Sequence, residues 1–152
     1  FQRALWNAKY HRFPMLIVTK YIDHCENLYQ FYQRANKSFK LGWKIAFAHH
    51  EIKNRTKIME DFRNGKIDVL ISTTIISRGK NFPTLRYLQN TASMDSNEKS
   101  IQILGRLVRQ CEGKNKAYLD DLVFKGSYLS RHGRHRERYY RAQKLKVIRV
   151  KL

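Results

Sequence analysis

The sequence predicts an α/β fold, a parallel β-sheet sandwiched between helices and followed by a basic C-terminal helical extension. Short apolar, β-rich runs alternate with stretches of helical periodicity, and strand, helix, strand, helix in that rhythm implies a parallel sheet covered on both faces. The length of 152 residues is one domain's worth of chain, enough to bury a single core. The last 28 residues differ in composition from the rest, with ten Lys or Arg against the single Glu137.

Met15-Leu16-Ile17-Val18, just after Pro14, reads as the first strand. From Ile22 the apolar residues fall at Ile22, Cys25, Tyr29 and Tyr32, a helical stripe that places Cys25 on the buried face as a core thiol. Lys44 to Ala48 is the second strand. Ile52, Met59 and Phe62 mark one face of a helix that Gly65 closes. Ile67-Asp68-Val69-Leu70-Ile71 forms the third strand, and Leu85 to Leu88 the fourth. Residues 97–110 form a helix opened by Ser96 or Asn97, and Ala117 to Val123 a fifth strand. Internal repeats and low-complexity linkers are not apparent.

Charge narrows the class of partner. The chain holds 31 basic residues against 12 acidic ones, a net charge of +19 that opposes compaction and favours a polyanion, nucleic acid before an anionic membrane. No apolar run is long enough to span a bilayer and no signal-peptide pattern opens the chain, so an intracellular protein without a membrane partner is expected. Cys25 and Cys111 are too few for a disulfide framework and lack zinc-binding spacing. In the tail, Arg131, Arg134, Arg138 and Arg141 fall at i, i+3, i+7 and i+10, one arginine stripe along a helix, with Gly133 as a candidate break. Tyr139 and Tyr140 beside the stripe favour a phosphate-tracking surface over a merely solvated face. The HGRH segment at 132–135 has no acidic or cysteine partners, and no metal site is expected there.

Chemistry concentrates in QILGRLVRQ, residues 102–110. On a helix Gln102, Arg106 and Arg109 share a narrow sector beside an apolar stripe of Ile101, Leu104 and Val108, while Gly105 permits close approach. Two guanidinium forks held together suit a phosphoryl group whose transferring oxygens need positive charge, the work of an arginine finger. From this helix alone, surface ion pairing explains the arginines equally well.

The order of segments around it resembles the second RecA-like domain of superfamily 2 helicases over residues 13–124. MLIVTKYIDHCENL, Met15 to Leu28, resembles motif IV, whose loop, here Thr19-Lys20, touches the nucleic-acid backbone. HHEIKNRTKIMEDFRNGKIDVLIST, His49 to Thr73, resembles the run of a His, a helical Arg, a Phe and a Gly before an apolar strand, with Arg55, Phe62 and Gly65 in those places. STTIISRGKNFP, Ser72 to Pro83, is similar to motif V, which implies that Thr73 contacts a phosphate of the bound strand and that Gly79 lies near the nucleotide. This chain has Lys80 and Asn81 where the family often has an apolar residue and Asp; Asn81 still offers hydrogen bonds to a sugar hydroxyl. QILGRLVR, Gln102 to Arg109, resembles motif VI, Q-x-x-G-R-x-x-R, whose arginines reach ATP held by the other domain. The tail from Tyr128 to Val150 resembles the C-terminal extension of phage recombination and repair helicases of the UvsW type, which implies forked or branched DNA, or an RNA–DNA hybrid, as substrate.

The resemblance therefore implies two parts, a helicase C-terminal RecA-like domain over residues 1–124 and a basic extension over 125–152 packed on it. Arg106 and Arg109 are the implied catalytic arginines and Gln102, Gly79 and Asn81 the nucleotide contacts. Thr19, Lys20, Arg55 and Thr73 join the arginine stripe as nucleic-acid contacts. The chain has no GxxxxGK[ST] loop and no DExx pair after a strand, so ATP and Mg2+ are expected to be bound mainly by a preceding RecA-like domain, and the chain alone is expected to be inactive. Phe1 in place of a methionine fits that expectation. Asp120-Asp121 comes after motif VI, in the wrong order for a metal pair, and is read as a strand end or a partner for basic groups. A catalytically silent binding module, or the motor half of a nuclease or restriction subunit, are the alternatives.

Overall fold

In the computed structural model the described residues are 2–9, 13–74, 82–92, 104–105, 107, 111–123 and 126–150. They form α1 (Gln2–Lys9), β1 (Met15–Thr19), α2 (Ile22–Ser38), β2 (Ile45–Ala48), α3 (Arg55–Arg63), β3 (Val69–Thr73), β4 (Tyr87–Asn90), β5 (Tyr118–Asp121) and α4 (Ser127–Ala142). The five strands make one sheet in the order β2-β3-β1-β4-β5, every neighbouring pair parallel, as the rhythm of the sequence predicts. None of the described helices is long and apolar enough to cross a membrane.

Strand residues alternate between two cores because successive side chains of a strand point to opposite faces. Leu16, Val18, Leu70 and Leu88 pack with Met59 and Phe62 of α3 and with Phe82, Leu85 and Leu107. Met15, Ile17, Val69, Ile71 and Tyr87 pack on the other face with Ala4 of α1 and with Cys25 and Tyr32 of α2. β1 and β3 are buried along their whole length, which is why they read as unbroken apolar runs. Each fully buried Leu or Ile contributes about 1.5–3 kcal/mol from area removed from water.

Helix α3 ends as expected at Gly65. The Lys66 amide donates to the Asp61 carbonyl at 2.8 Å and the Gly65 amide to Phe62 at 3.2 Å, with Gly65 at φ +71°, a Schellman closure. The same closure ends α2 with Lys40 at φ 50° and α4 with Lys144 at φ 58°, positions whose lysines gave no sign of a cap in the sequence.

β1 and β2 shift by one residue at one end, and β3, β4 and β5 move further. β3 starts at Val69 rather than Ile67, and just before it Asp68 fixes the entry to the strand: its carboxylate accepts the Lys44 amide at 2.8 Å and its carbonyl the Met15 amide at 2.8 Å. β4 is Tyr87–Asn90, not Leu85 to Leu88: Leu85 lies in a turn donating its amide to Phe82, and the polar Gln89 and Asn90 are buried strand residues. β5 is shorter than Ala117 to Val123. Helix α1 has no counterpart in the sequence reading, since QRALWNAK shows too few turns for a periodic signal. Within the predicted helix 97–110, Leu104, Gly105 and Leu107 are helical and both leucines buried; its other residues lie outside the described part.

Candidate nucleic-acid and nucleotide interface

Parallel strands bring their C-terminal ends to one edge, the position from which loops reach ligands in open α/β sheets. Thr19 stands beside Thr73 in register, Val18 beside Asn90, and Asn90 beside Asp121. Hydroxyl groups lock this edge. The Ser72 hydroxyl donates to the Ala48 carbonyl at 2.7 Å and that of Thr91 to Val18 at 2.8 Å. Thr19 is buried and its hydroxyl donates to the Tyr21 carbonyl at 3.3 Å, so it shapes the turn after β1 rather than presenting its side chain outward. Thr73 is also buried. Lys20 is exposed, its Nζ 5.0 Å from the centroid of the Tyr21 ring.

Arg55 opens α3 at the surface and donates from Nη1 to the His50 carbonyl at 2.8 Å. His49, at the end of β2, is buried with Nε2 3.0 Å from Glu26 Oε1 of α2. That contact joins the β2 end to the helix that follows motif IV. Gly79, Asn81, Gln102, Arg106 and Arg109 lie outside the described residues. Lys114 donates from Nζ to the Leu107 carbonyl at 2.6 Å and to the Pro83 carbonyl at 3.0 Å. One ammonium thereby ties Leu107 to Pro83, and burial lowers its pKa. A cation reaching two carbonyls far from it in sequence leaves no local signature. Gly105 is exposed, and a Cβ built there meets nothing within 4 Å, so no described backbone approaches it.

Helix α4 presents Arg131, Arg134, Arg138 and Arg141 to solvent, as their spacing predicts. The opposite face is buried: His132, Gly133, Arg136 and Tyr140. Two expectations change here. Gly133 does not break the helix; a Cβ on it would lie 2.6 Å from Val123 Cγ1, so the glycine lets α4 close on the chain leaving β5. Tyr140 does not border a phosphate track, because it is buried and its hydroxyl donates to Asp121 Oδ2 at 2.8 Å.

Arg136, which the sequence reading passed over, is 1% exposed and forks onto Asp121 at 2.7 and 2.9 Å. The signal was present: with the stripe on one side, helical spacing puts Arg136 on the other. Asp120 is held likewise by Arg3 of α1, at 2.9 Å to each oxygen. The acidic pair does bind basic groups. Glu137 takes Arg141 and Arg149, whose hydrogen bonds hold its carboxyl below the ordinary range, so Arg141 brings less net charge to the stripe than its neighbours.

A family model, the helicase conserved C-terminal domain, matches residues 2–111. UvrABC system protein B of Aster yellows witches'-broom phytoplasma is 33% identical over 116 residues, which are 70% of this chain and 16% of that protein. Its counterpart in Levilactobacillus brevis is 36% identical over 93 residues, 55% of this chain and 14% of the relative. The chain thus spans far less than two thirds of these relatives. Among solved structures, the yeast DEAD-box splicing factor Prp28 matches with a TM-score of 0.73 at 16% identity, covering 98% of this chain and 32% of Prp28. Domain 2 of the DEAD-box helicase Mss116p, bound to an RNA duplex, matches with a TM-score of 0.60 at 19% identity, over 80% of this chain and 46% of that one. At these identities the structural likeness speaks for the fold.

Proposed function

Because the chain belongs to the helicase conserved C-terminal domain family, whose model covers residues 2–111, we propose that it is the second motor domain of an ATP-dependent superfamily 2 helicase that remodels branched DNA in recombination or repair. The observation that carries this reading is the order of the motif segments on the fold. Thr19 and Thr73, from motifs IV and V, end neighbouring parallel strands in register at one edge of the sheet.

At that edge Lys20 and Arg55 are exposed cations for the strand's phosphates, and the Thr73 end of β3 feeds the motif V loop. Thr19 holds the turn that carries Lys20. ATP and Mg2+ are assigned to a preceding RecA-like domain. Both strand-end carboxylates here are already forked by arginine, Asp120 by Arg3 and Asp121 by Arg136, and so are engaged by protein cations rather than offered to a metal. This chain's share is charge and grip: Arg106 and Arg109 toward the transferring phosphoryl group, with Gln102, Gly79 and Asn81 around the nucleotide. Closing the two domains on the strand and reopening them converts turnover into stepwise movement.

The basic tail supports the branched substrate, since the exposed stripe of α4 offers a second phosphate track in addition to the cations of the strand edge. The test is ATP-driven unwinding by the full-length protein on a fork, a four-way junction and a blunt duplex of equal length. Preference for the fork or junction is expected, and it should weaken when Arg134 and Arg138 become Gln. Equal rates on all three substrates would remove the branched-DNA part of the proposal.

A further inference from the structure

Two tyrosines at the motor edge remain unused by the mechanism above. Tyr21, two residues past β1, is the N-cap of α2, Tyr128 lies in the first turn of α4, and each is 62% exposed. Large aromatic rings are usually well covered, so such exposure next to a ligand edge asks for a ligand. Each ring also carries a cation: Lys20 Nζ lies 5.0 Å from the Tyr21 centroid and Arg131 Cζ 5.4 Å from that of Tyr128. Both pairs lie past the C-terminal ends of the strands: Tyr21 caps α2 just after β1 ends at Thr19, and Tyr128 lies on α4 shortly before Gly133, which packs on Val123 just after β5 ends at Asp121. Tyr128 is steadied edge-on against the buried His132, with centroids 4.1 Å apart.

A third cation–aromatic pair shows what is special here. Arg3 lies 5.0 Å from the centroid of Trp6, but its guanidinium is already forked onto Asp120. Lys20 and Arg131 stand at the surface, and Arg131 begins the arginine stripe. An aromatic face for a base with a cation for the adjoining phosphate is the unit from which sequence-tolerant single-strand sites are built. Gly126, the N-cap of α4, brings no side-chain acceptor to that helix end, whose dipole adds positive potential for a phosphate.

We infer that Tyr21 and Tyr128 form a stacking platform for unpaired bases of a single strand, with Lys20 and Arg131 on the flanking phosphates. The inference rests on the nucleic-acid reading above and adds base contact to an edge otherwise assigned to the backbone. It also gives the strand a route from the motor edge onto α4.

The test is equilibrium binding of the full-length protein to a single-stranded oligonucleotide and to its abasic counterpart, at matched salt. Wild type should lose affinity for the abasic strand. Tyr21→Leu and Tyr128→Leu should each weaken binding to the normal strand by about five- to a hundredfold, and Tyr→Phe at either site should retain it. The double Leu variant should no longer distinguish the two strands, with its salt dependence unchanged, while Lys20→Gln and Arg131→Gln should each lower the salt slope by about one. Thermal melting of each variant checks that it is folded. If wild type binds both strands equally and the Leu variants match it, the platform is refuted while the nucleic-acid reading stands. If wild type binds neither strand, that reading falls and the platform with it.

Discussion

Asp120 and Asp121 are neighbours in β5 yet serve opposite faces of the sheet, because adjacent strand residues point apart. Asp120 accepts Arg3 of α1 and the Tyr87 hydroxyl at 2.9 Å; Asp121 accepts Arg136 and Tyr140 of α4. Removing the Asp121 carboxylate takes two charge-assisted hydrogen bonds from a buried guanidinium. Asp121→Ala is therefore expected to cost about 3–5 kcal/mol in urea unfolding, whereas Arg138→Ala, on the exposed stripe, should stay within about 0.5 kcal/mol. Equal midpoints for the two variants would contradict this assignment of roles. The sequence marked the acidic pair as a partner for basic groups, but which of ten basic tail residues it takes depends on how the helix docks. Cys25 illustrates a fully legible residue: it is buried, and burial pushes its thiol up to about 11. A raised folded-state value means its share of stability is whole below the unfolded thiol's pKa of 9.0 and is lost as pH rises through about 11. Cys25→Ala should flatten the fall in stability across that interval; an unchanged profile would rule out the thiol as its source.

At the scale of elements, helix α4 is defined by what it can approach. Gly133→Ala puts a methyl into Val123 and is expected to destabilise the protein by about 1–3 kcal/mol. Val123→Ala in the same chain should restore most of the loss, since it removes the Cγ atoms that clash. Absence of rescue in that double-mutant cycle would contradict the contact with Val123, because helix propensity favours alanine over glycine and cannot supply the cost. The sequence showed a glycine and suggested a break; only the neighbouring Val123 reveals a close contact. Strand interiors were legible because two-faced burial demands unbroken apolar runs. Strand ends were not, because Gln89 and Asn90 are buried through hydrogen bonds that hydropathy does not register: Gln89 accepts the Tyr32 hydroxyl at 3.3 Å, and Asn90 donates to Asp121 at 3.3 Å. Polar residues satisfied in a core look like loop residues in one dimension.

For the molecule as a whole, a charge of +19 and a sheet edge that gathers the motif segments point the same way. Of the candidate site, the pairing of Thr19 with Thr73 at one edge follows from segments legible as local strings, while Gly79, Asn81, Gln102, Arg106 and Arg109 lie outside the described residues. The aromatic pair of Tyr21 and Tyr128 was not legible, since exposure of a ring is a property of packing, and the tyrosines beside the stripe drew attention first. The proposal that this chain completes an ATP site on another domain rests on Arg106 and Arg109 of QILGRLVRQ. The direct measurement is strand-stimulated ATP hydrolysis by Arg109→Ala in the full-length protein, with DNA affinity measured in parallel. Loss of an arginine finger should lower the rate by about a thousandfold or more, with DNA affinity within about twofold of wild type. An unchanged rate would contradict the account and leave the chain as a nucleic-acid-binding module that keeps the fold without the motor.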